Sequence, residues 1–301
     1  MDRTSVNWSG PMPAITTAFH DDGRIDEAGF ARNIDRLMQA GATGLVVGGC
    51  TGEFWALAHE ERKRLFVVAK EAMAGRGTLI VGTGAVTVAE TVALTLAAET
   101  AGADGALILP PYFVKLTDDE IHAHYADVDK AVGLPIILYN IPGNAVNALS
   151  PALVARLGRF DKVVGVKESS GDWNNYYATY LAVHQTLRVF CGPSSVFGVP
   201  AVELGADGTI DCFPNMWSPG GLDLYTAPKR GDKAQANRLQ ALGRKLTDLC
   251  TSGGRTLYPA TKAAMDLQGL PGGGRPRAPL RALEGEALKG LKKGLAELGL
   301  L

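Results

Sequence analysis

Eight short apolar segments alternate with amphipathic segments along most of the chain, and this alternation limits the possible folds more than any other feature. Short, continuously apolar runs are typical of parallel strands that helices cover on one side or both. Eight of them in regular alternation with helices favour a closed barrel over an open sheet. We therefore predict an α/β fold, a (β/α)8 TIM barrel. The predicted strands are residues 13–19, 44–49, 78–82, 105–110, 135–140, 163–168, 188–192 and 208–213.

The last part of the chain lacks strand signals. After residue 230 the pattern is helical, with one Gly/Pro-rich interruption at 270–279. We predict a catalytic barrel domain at residues 1–230 and a C-terminal helical extension at 231–301. The extension is expected to cover barrel helices or to make subunit contacts.

Charge and composition exclude several classes of protein. The net charge of −1 provides no general field that would attract nucleic acid or an acidic membrane. The four cysteines have no CxxC spacing, which argues against a zinc site or a disulfide framework. No run of about 18 apolar residues exists, and the N-terminus lacks the apolar run of a signal peptide. A cytoplasmic protein with no nucleic-acid or membrane partner is expected.

The segment Val163–Glu168 carries an unusual lysine. Apolar and small residues run directly into Lys167, which places it at the end of a predicted buried strand. Desolvation there would lower the pKa of the ammonium group, and a partly neutral lysine can form a Schiff base with a ketone. The alternative is that Lys167 points into water, as most charged side chains do.

Other candidate groups also lie at the C-terminal ends of strands, where such barrels place their active sites. The glycines and Thr51 of the loop Gly49–Gly52 could hold a small anion such as a carboxylate, or form an ordinary turn. Tyr139 could transfer protons, or simply pack with a satisfied hydroxyl. No two histidines lie near strand ends, so metal-assisted chemistry is disfavoured and no metal is predicted.

These residues belong to motifs that resemble a known family. The chain is similar to the pyruvate-dependent class I lyases that include dihydrodipicolinate synthase and N-acetylneuraminate lyase. The resemblance covers nearly the whole chain. The matching motifs are Gly49-Cys50-Thr51-Gly52-Glu53, Tyr139-Asn140-Ile141-Pro142 and Gly165-Val166-Lys167-Glu168, with Pro13-Ala14-Ile15-Thr16-Thr17 near the start and Gly269-Leu270-Pro271-Gly272 near the end.

The resemblance implies a role for each matching residue. Lys167 would form the Schiff base with a 2-keto acid, and Tyr139 would shuttle protons. Thr51 and the loop amides that begin at Gly49 would hold the carboxylate, while Ile210 would offer a backbone carbonyl. No cofactor is implied beyond the covalent lysine, and family members are commonly homotetramers.

Several positions depart from the synthase pattern. Cys50 replaces the first of two threonines in a proton relay, where it either acts as a weak donor or fills space. Phe113, expected near the site at a subunit interface, replaces the relay tyrosine that comes from a neighbouring subunit. Gly143-Asn144 stands at the place of an arginine that binds a second carboxylate in the synthases. Together, these three changes argue against dihydrodipicolinate synthesis.

The expected substrate follows from these departures. Ser194 and Ser195, after Gly192, replace acidic residues that are usual in sialic acid lyases. With Asn144, they could bind substrate hydroxyls, although the serines could equally cap the next helix. We predict cleavage or formation of a keto-deoxy sugar acid or a 4-hydroxy-2-oxo acid, with pyruvate as product or donor. The alternatives are a 2-keto-3-deoxy sugar acid dehydratase on the same iminium and a non-catalytic keto-acid-binding barrel.

Overall fold

A computed structural model describes all 301 residues and shows eight parallel strands around a common axis. They pair in the order β1-β8-β7-β6-β5-β4-β3-β2, and a parallel bridge from Ala14 to Val46 closes the ring. The predicted (β/α)8 barrel is therefore confirmed. The strands are β1 (Gly10–Pro11), β2 (Gly44–Val47), β3 (Thr78–Gly82), β4 (Gly105–Ile108), β5 (Ile136–Asn140), β6 (Val163–Glu168), β7 (Arg188–Cys191) and β8 (Gly208–Thr209).

Helices follow the strands and continue into the C-terminal extension. Local sequence sets several of their starts: Thr117 forms a capping box with Glu120, and Ser150 caps the helix that begins at Pro151. No helix combines the length and the apolar composition that a membrane span requires. The helices are α1 (Glu27–Gln39), α2 (His59–Met73), α3 (Val88–Thr100), α4 (Asp118–Ala131), α5 (Pro142–Ala145), α6 (Pro151–Leu157), α7 (Trp173–Val183), α8 (Ser194–Leu204), α9 (Ser218–Lys229), α10 (Lys233–Thr251), α11 (Leu257–Leu267) and α12 (Gly285–Glu297).

The first predicted strand lies too late in the sequence. The ladder of β1 begins at Gly10, three residues before the predicted start, and its later part is only the bridge at Ala14. Residues 16–19 are buried for another reason. The Thr16 hydroxyl donates to the Gly272 carbonyl at 2.7 Å, and Phe19 lies under Lys262 of the extension. Burial by the C-terminal extension thus produced an apolar pattern that reads as a strand.

The eighth predicted strand is shorter than expected. Only Gly208 and Thr209 pair with β7, and a 3₁₀ turn at Phe213–Asn215 follows. The buried Asn215 side chain donates to the Ala14 and Cys212 carbonyls, which satisfies backbone groups where the ladder ends. The apolar residues after Thr209 are therefore buried without belonging to the sheet.

The C-terminal extension packs on one side of the barrel and is tied to it by a buried ion pair. Helix α10 lies against α8 and α9, and their apolar side chains form one cluster with α11 and α12. Lys262 of α11 donates to Glu53 at 2.7 Å, and both side chains are almost fully buried. The division at residues 230 and 231 falls in the turn between α9 and α10, and we propose it as the domain boundary.

Candidate active site

A cavity of about 170 Å³ opens at the C-terminal end of the barrel. Its wall combines strand ends with residues of the extension, so the two parts of the chain build it together. The structure brings most of the predicted site residues to this cavity. Those that line it are Cys50, Thr51, Tyr139, Lys167, Gly192, Ser195 and Ile210.

A β-bulge in β6 turns Lys167 toward the cavity. Ile136 pairs with Val163, but Ile137 pairs with Gly165, so one residue of β6 is skipped. Strict alternation from Val163 would direct Lys167 outward to the helices, because side chains change face at every residue. The extra residue shifts the alternation of side chains by one position. Lys167 therefore faces the barrel axis, beside its register partner Tyr139 on β5.

Lys167 is a buried lysine without a carboxylate partner. Its side chain is 5% exposed, and its ammonium group lies 4.1 Å from the centre of the Tyr139 ring. The other buried lysine, Lys262, is neutralised by Glu53, whereas none of the ion pairs in the structure includes Lys167. Burial lowers the pKa of Lys167 to about 8, although Cys50 and Asp211 partly oppose the shift. A nucleophilic amine is therefore available near neutral pH.

Tyr139 and Cys50 form a buried pair beside this amine. The Tyr139 hydroxyl lies 3.8 Å from the Cys50 sulfur. Burial raises the pKa of both groups, so phenol and thiol each keep their proton at neutral pH. Each can therefore donate a proton and recover it.

The loop after β2 holds Cys50 and Thr51 in a 3₁₀ turn at Cys50–Gly52. A hydrogen bond from the segment after β1 holds this turn, because the Thr17 hydroxyl donates to the Gly52 carbonyl at 2.7 Å. Glu53 closes the turn in the left-handed conformation, and its carboxylate is the partner of Lys262. The extension thus fixes the position of the loop that carries both candidate side chains.

Four predicted residues, Gly49, Phe113, Asn144 and Ser194, lie outside the cavity. Gly49 lines a separate small space together with Cys50, and Asn144 lines a neighbouring cavity of about 460 Å³. The buried Ser194 hydroxyl donates to Asp211 at 2.9 Å, which orders the start of α8. The Ser195 hydroxyl reaches the cavity but accepts from Thr247 at 3.0 Å. Phe113 is 87% exposed at the surface.

Two further cavity residues were not among the sequence candidates. The Ser169 hydroxyl is buried without a hydrogen-bond partner, and Ser169 lines the cavity together with Tyr139. It follows the Lys167 motif directly, so its position after β6 was a usable signal. Tyr258 enters from α11, and the sequence gives no sign that this helix reaches the barrel opening.

The chemistry of the site is that of an amine with neutral proton donors. No group of three or more His, Cys, Asp or Glu side chains is arranged to hold a metal ion. A ketone carbon placed against the Lys167 nitrogen would lie next to the Tyr139 side chain, whose ring centre is 4.1 Å from that nitrogen. This arrangement suits imine formation with proton transfer by Tyr139.

Comparison with known proteins agrees with this geometry. The family model described as the dihydrodipicolinate synthetase family matches residues 7–298. The chain belongs to this family. Members of the family are lyases that form a lysine Schiff base with pyruvate, so the prediction of a class I lyase is confirmed.

Individual relatives of the dihydrodipicolinate synthetase family cover much or all of the chain. A 4-hydroxy-tetrahydrodipicolinate synthase of Thermus thermophilus is 41% identical over 212 residues, 70% of each chain. An uncharacterized DapA-like lyase of Rhizobium meliloti is 34% identical over 272 residues, 89% of each chain. The structure of YagE from E. coli K12 in complex with pyruvate matches with a TM-score of 0.92 and 29% identity, covering 98% of this chain and 99% of that one.

Proposed function

We propose that this chain is an aldolase that cleaves a 4-hydroxy-2-oxo acid to pyruvate and an aldehyde, or forms it from them. The observation that carries the proposal is the buried, unpaired Lys167 in register with Tyr139. At pH 7 a lysine of pKa about 8 is about a tenth neutral, whereas an ordinary lysine of pKa 10.5 is neutral in about one molecule in 3,000.

The reaction proceeds through an imine at Lys167. Its nitrogen attacks the C2 carbonyl of the keto acid, and the carbinolamine loses water with a proton from Tyr139. The resulting iminium accepts the electron pair of the C3–C4 bond as that bond breaks. The C4 hydroxyl gives its proton to water in the cavity and becomes the aldehyde, which balances the proton that Tyr139 lost in the previous step. Protonation of the enamine at C3 and hydrolysis of the imine release pyruvate and restore the lysine.

The substrate end beyond C4 is uncharged in this proposal. Lys167 is the only lysine or arginine that lines either cavity, so the chain offers no cation for a second carboxylate there. Thr51 would hold the C1 carboxylate, and the carbonyl of Ile210 would lie near the bound keto acid. Hydroxyl groups of a keto-deoxy sugar acid could bond to Ser195 or Asn144 at the cavity walls.

We also propose that a second copy of the chain covers Phe113. This residue is 87% exposed and has a φ of 77°, which a non-glycine residue adopts only under strain. A large exposed aromatic group on a strained backbone indicates an interaction surface. This surface supports a homo-oligomer, for which a tetramer is the family-based expectation.

Reductive trapping tests the Schiff base. The protein is incubated with pyruvate, reduced with borohydride, digested, and searched for the added mass. We expect the adduct on Lys167 and none on Lys262, the buried lysine that serves as an internal control. The yield should rise with pH and reach half its maximum near pH 8, where Lys167 becomes half neutral. Folded protein without an adduct on Lys167 would refute the proposal.

A substrate panel then identifies the bond that breaks. Pyruvate and an aldehyde as products mean an aldolase, whereas a dehydrated semialdehyde means a dehydratase that uses the same iminium. Trapping without turnover across keto-deoxy acids and 4-hydroxy-2-oxo acids would contradict catalysis and leave a keto-acid-binding protein.

A further inference from the structure

The C-terminal extension places a second phenol next to the catalytic pair. Tyr258 lies in the first turn of α11 and lines both the catalytic cavity and the wider neighbouring cavity. Its ring packs against Trp55 with 5.4 Å between the ring centres. The Asn144 amide donates to its hydroxyl at 3.4 Å, so both ends of the side chain are held.

Cys50 shares the wall of the catalytic cavity with both phenols. Its sulfur is 3.8 Å from the Tyr139 hydroxyl. Cys50 and Tyr258 both line the wider cavity, whose volume is about 460 Å³. The two hydroxyls and the thiol thus lie along a path from the Lys167 site toward a space large enough for water.

We propose that Tyr258 is a positioning residue for proton transfer in the lyase reaction, acting through Cys50 to resupply Tyr139. The proposal rests on the function proposed above, since it needs a proton-consuming step at Lys167. It assigns a direct part in proton transfer to the extension, in addition to lining the cavity and fixing the loop after β2.

The proton balance can be followed through one step. When the carbinolamine loses water, its C2–O bond breaks, the oxygen leaves with the electron pair, and the Tyr139 proton completes the water molecule. The Lys167 nitrogen lone pair forms the C=N bond. Tyr139 regains a proton from the Cys50 thiol, Cys50 from Tyr258, and Tyr258 from water in the wider cavity. Hydrolysis of the imine reverses each transfer.

The protonation states and the burial of the three groups support proton transfer from Tyr258 through Cys50 to Tyr139. Burial raises the pKa of Tyr258, as it does for Cys50 and Tyr139, so all three groups carry a proton at neutral pH. Cys50 is only 5% exposed, which limits direct exchange of its thiol with solvent. Tyr258 is less buried and therefore better placed to exchange.

The first test removes one hydroxyl group. Tyr258→Phe keeps the ring against Trp55 but ends the chain at Cys50. We expect kcat to fall by about 10- to 100-fold, below the full general acid–base contribution because water replaces part of the relay. KM should change by less than about threefold, since the carboxylate contacts remain, and the solvent deuterium isotope effect on kcat should increase. A kcat within about twofold of the unaltered protein would overturn the proposal.

A matched control and a second variant separate relay from packing. Tyr112→Phe removes another hydroxyl from the wall of the wider cavity, and it should change kcat by less than about twofold. Cys50→Ala interrupts the same chain and should lower kcat to a similar extent as Tyr258→Phe. Adding Tyr258→Phe to Cys50→Ala should have little further effect, because both act on one path. If the kcat losses of the two single variants multiplied in the double variant, the two residues would act independently and the proposal would be overturned.

Failure of the relay differs from failure of the proposed function. If the unaltered protein gives no Lys167 adduct with pyruvate, the function itself is wrong. If it gives the adduct and turns over while Tyr258→Phe keeps full kcat and an unchanged isotope effect, only the role of Tyr258 is refuted. Urea midpoints of all variants should match that of the unaltered protein, and a kcat loss that follows a lowered midpoint would indicate packing alone.

Discussion

Lys167 and Lys262 are both buried, and replacing each by methionine should shift the free energy of unfolding in opposite directions. Methionine has nearly the length of lysine and packs well against aromatic rings, so the substitution mainly removes the charge. Lys167 has no carboxylate partner, whereas Lys262 neutralises the fully buried Glu53. The same substitution therefore removes a desolvated charge in one place and breaks an ion pair in the other.

The magnitude for Lys167 follows from its pKa. A change from 10.5 to about 8 means that burying the charged form costs about 3 kcal/mol at neutral pH. The contact of the ammonium group with the Tyr139 ring returns up to about 2 kcal/mol. Lys167→Met should therefore stabilise the protein by about 1–3 kcal/mol. Burial also lowers the pKa of Lys262, but Lys262→Met leaves Glu53 buried without a countercharge and should destabilise by about 3–5 kcal/mol.

The pH dependence provides an internal check. The folded-state pKa of Lys167 lies below the unfolded value, so its destabilising effect is complete below about pH 8 and vanishes as the pH approaches 10.5. Urea denaturation without keto acid, at pH 7 and pH 9.5 and at one protein concentration, measures both variants. The gain from Lys167→Met should fall to about half at pH 9.5. A Lys167→Met protein that is less stable at pH 7 would refute the view of Lys167 as a strained, desolvated amine.

Two further predictions concern the groups around Lys167. Tyr139→Phe should lower kcat by about 10²–10⁴-fold while pyruvate binding, measured by calorimetry, stays within a few-fold, because the phenol moves protons and does not hold the carboxylate; near-normal turnover would remove Tyr139 from the mechanism. Gly165→Val should destabilise the protein by about 1–3 kcal/mol and reduce trapping on Lys167, since a Cβ at this position lies 3.0 Å from the Arg188 carbonyl oxygen within the bulge. Full trapping in a stable Gly165→Val protein would show that the bulge does not set the direction of Lys167.

Local sequence predicted most of the elements because their signals are local. Strands β3 and β6 begin and end at the predicted residues, and the chain after residue 230 is helical as expected. The first strand was misplaced because burial of residues 16–19 comes from the distant extension and leaves the same apolar pattern as a strand. An apolar run indicates burial, but it does not identify the covering partner.

The sequence by itself determined the barrel, the family resemblance and the candidacy of Lys167 and Tyr139, because strand periodicity and motif order are properties of neighbouring residues. Only the tertiary structure decided the direction of Lys167, since the skipped residue in β6 is a matter of register with β5. It also brought Tyr258 into the same cavity wall as Cys50, which lies more than 200 residues earlier in the chain. Contacts at such separations depend on how the extension packs on the barrel, which no local pattern specifies.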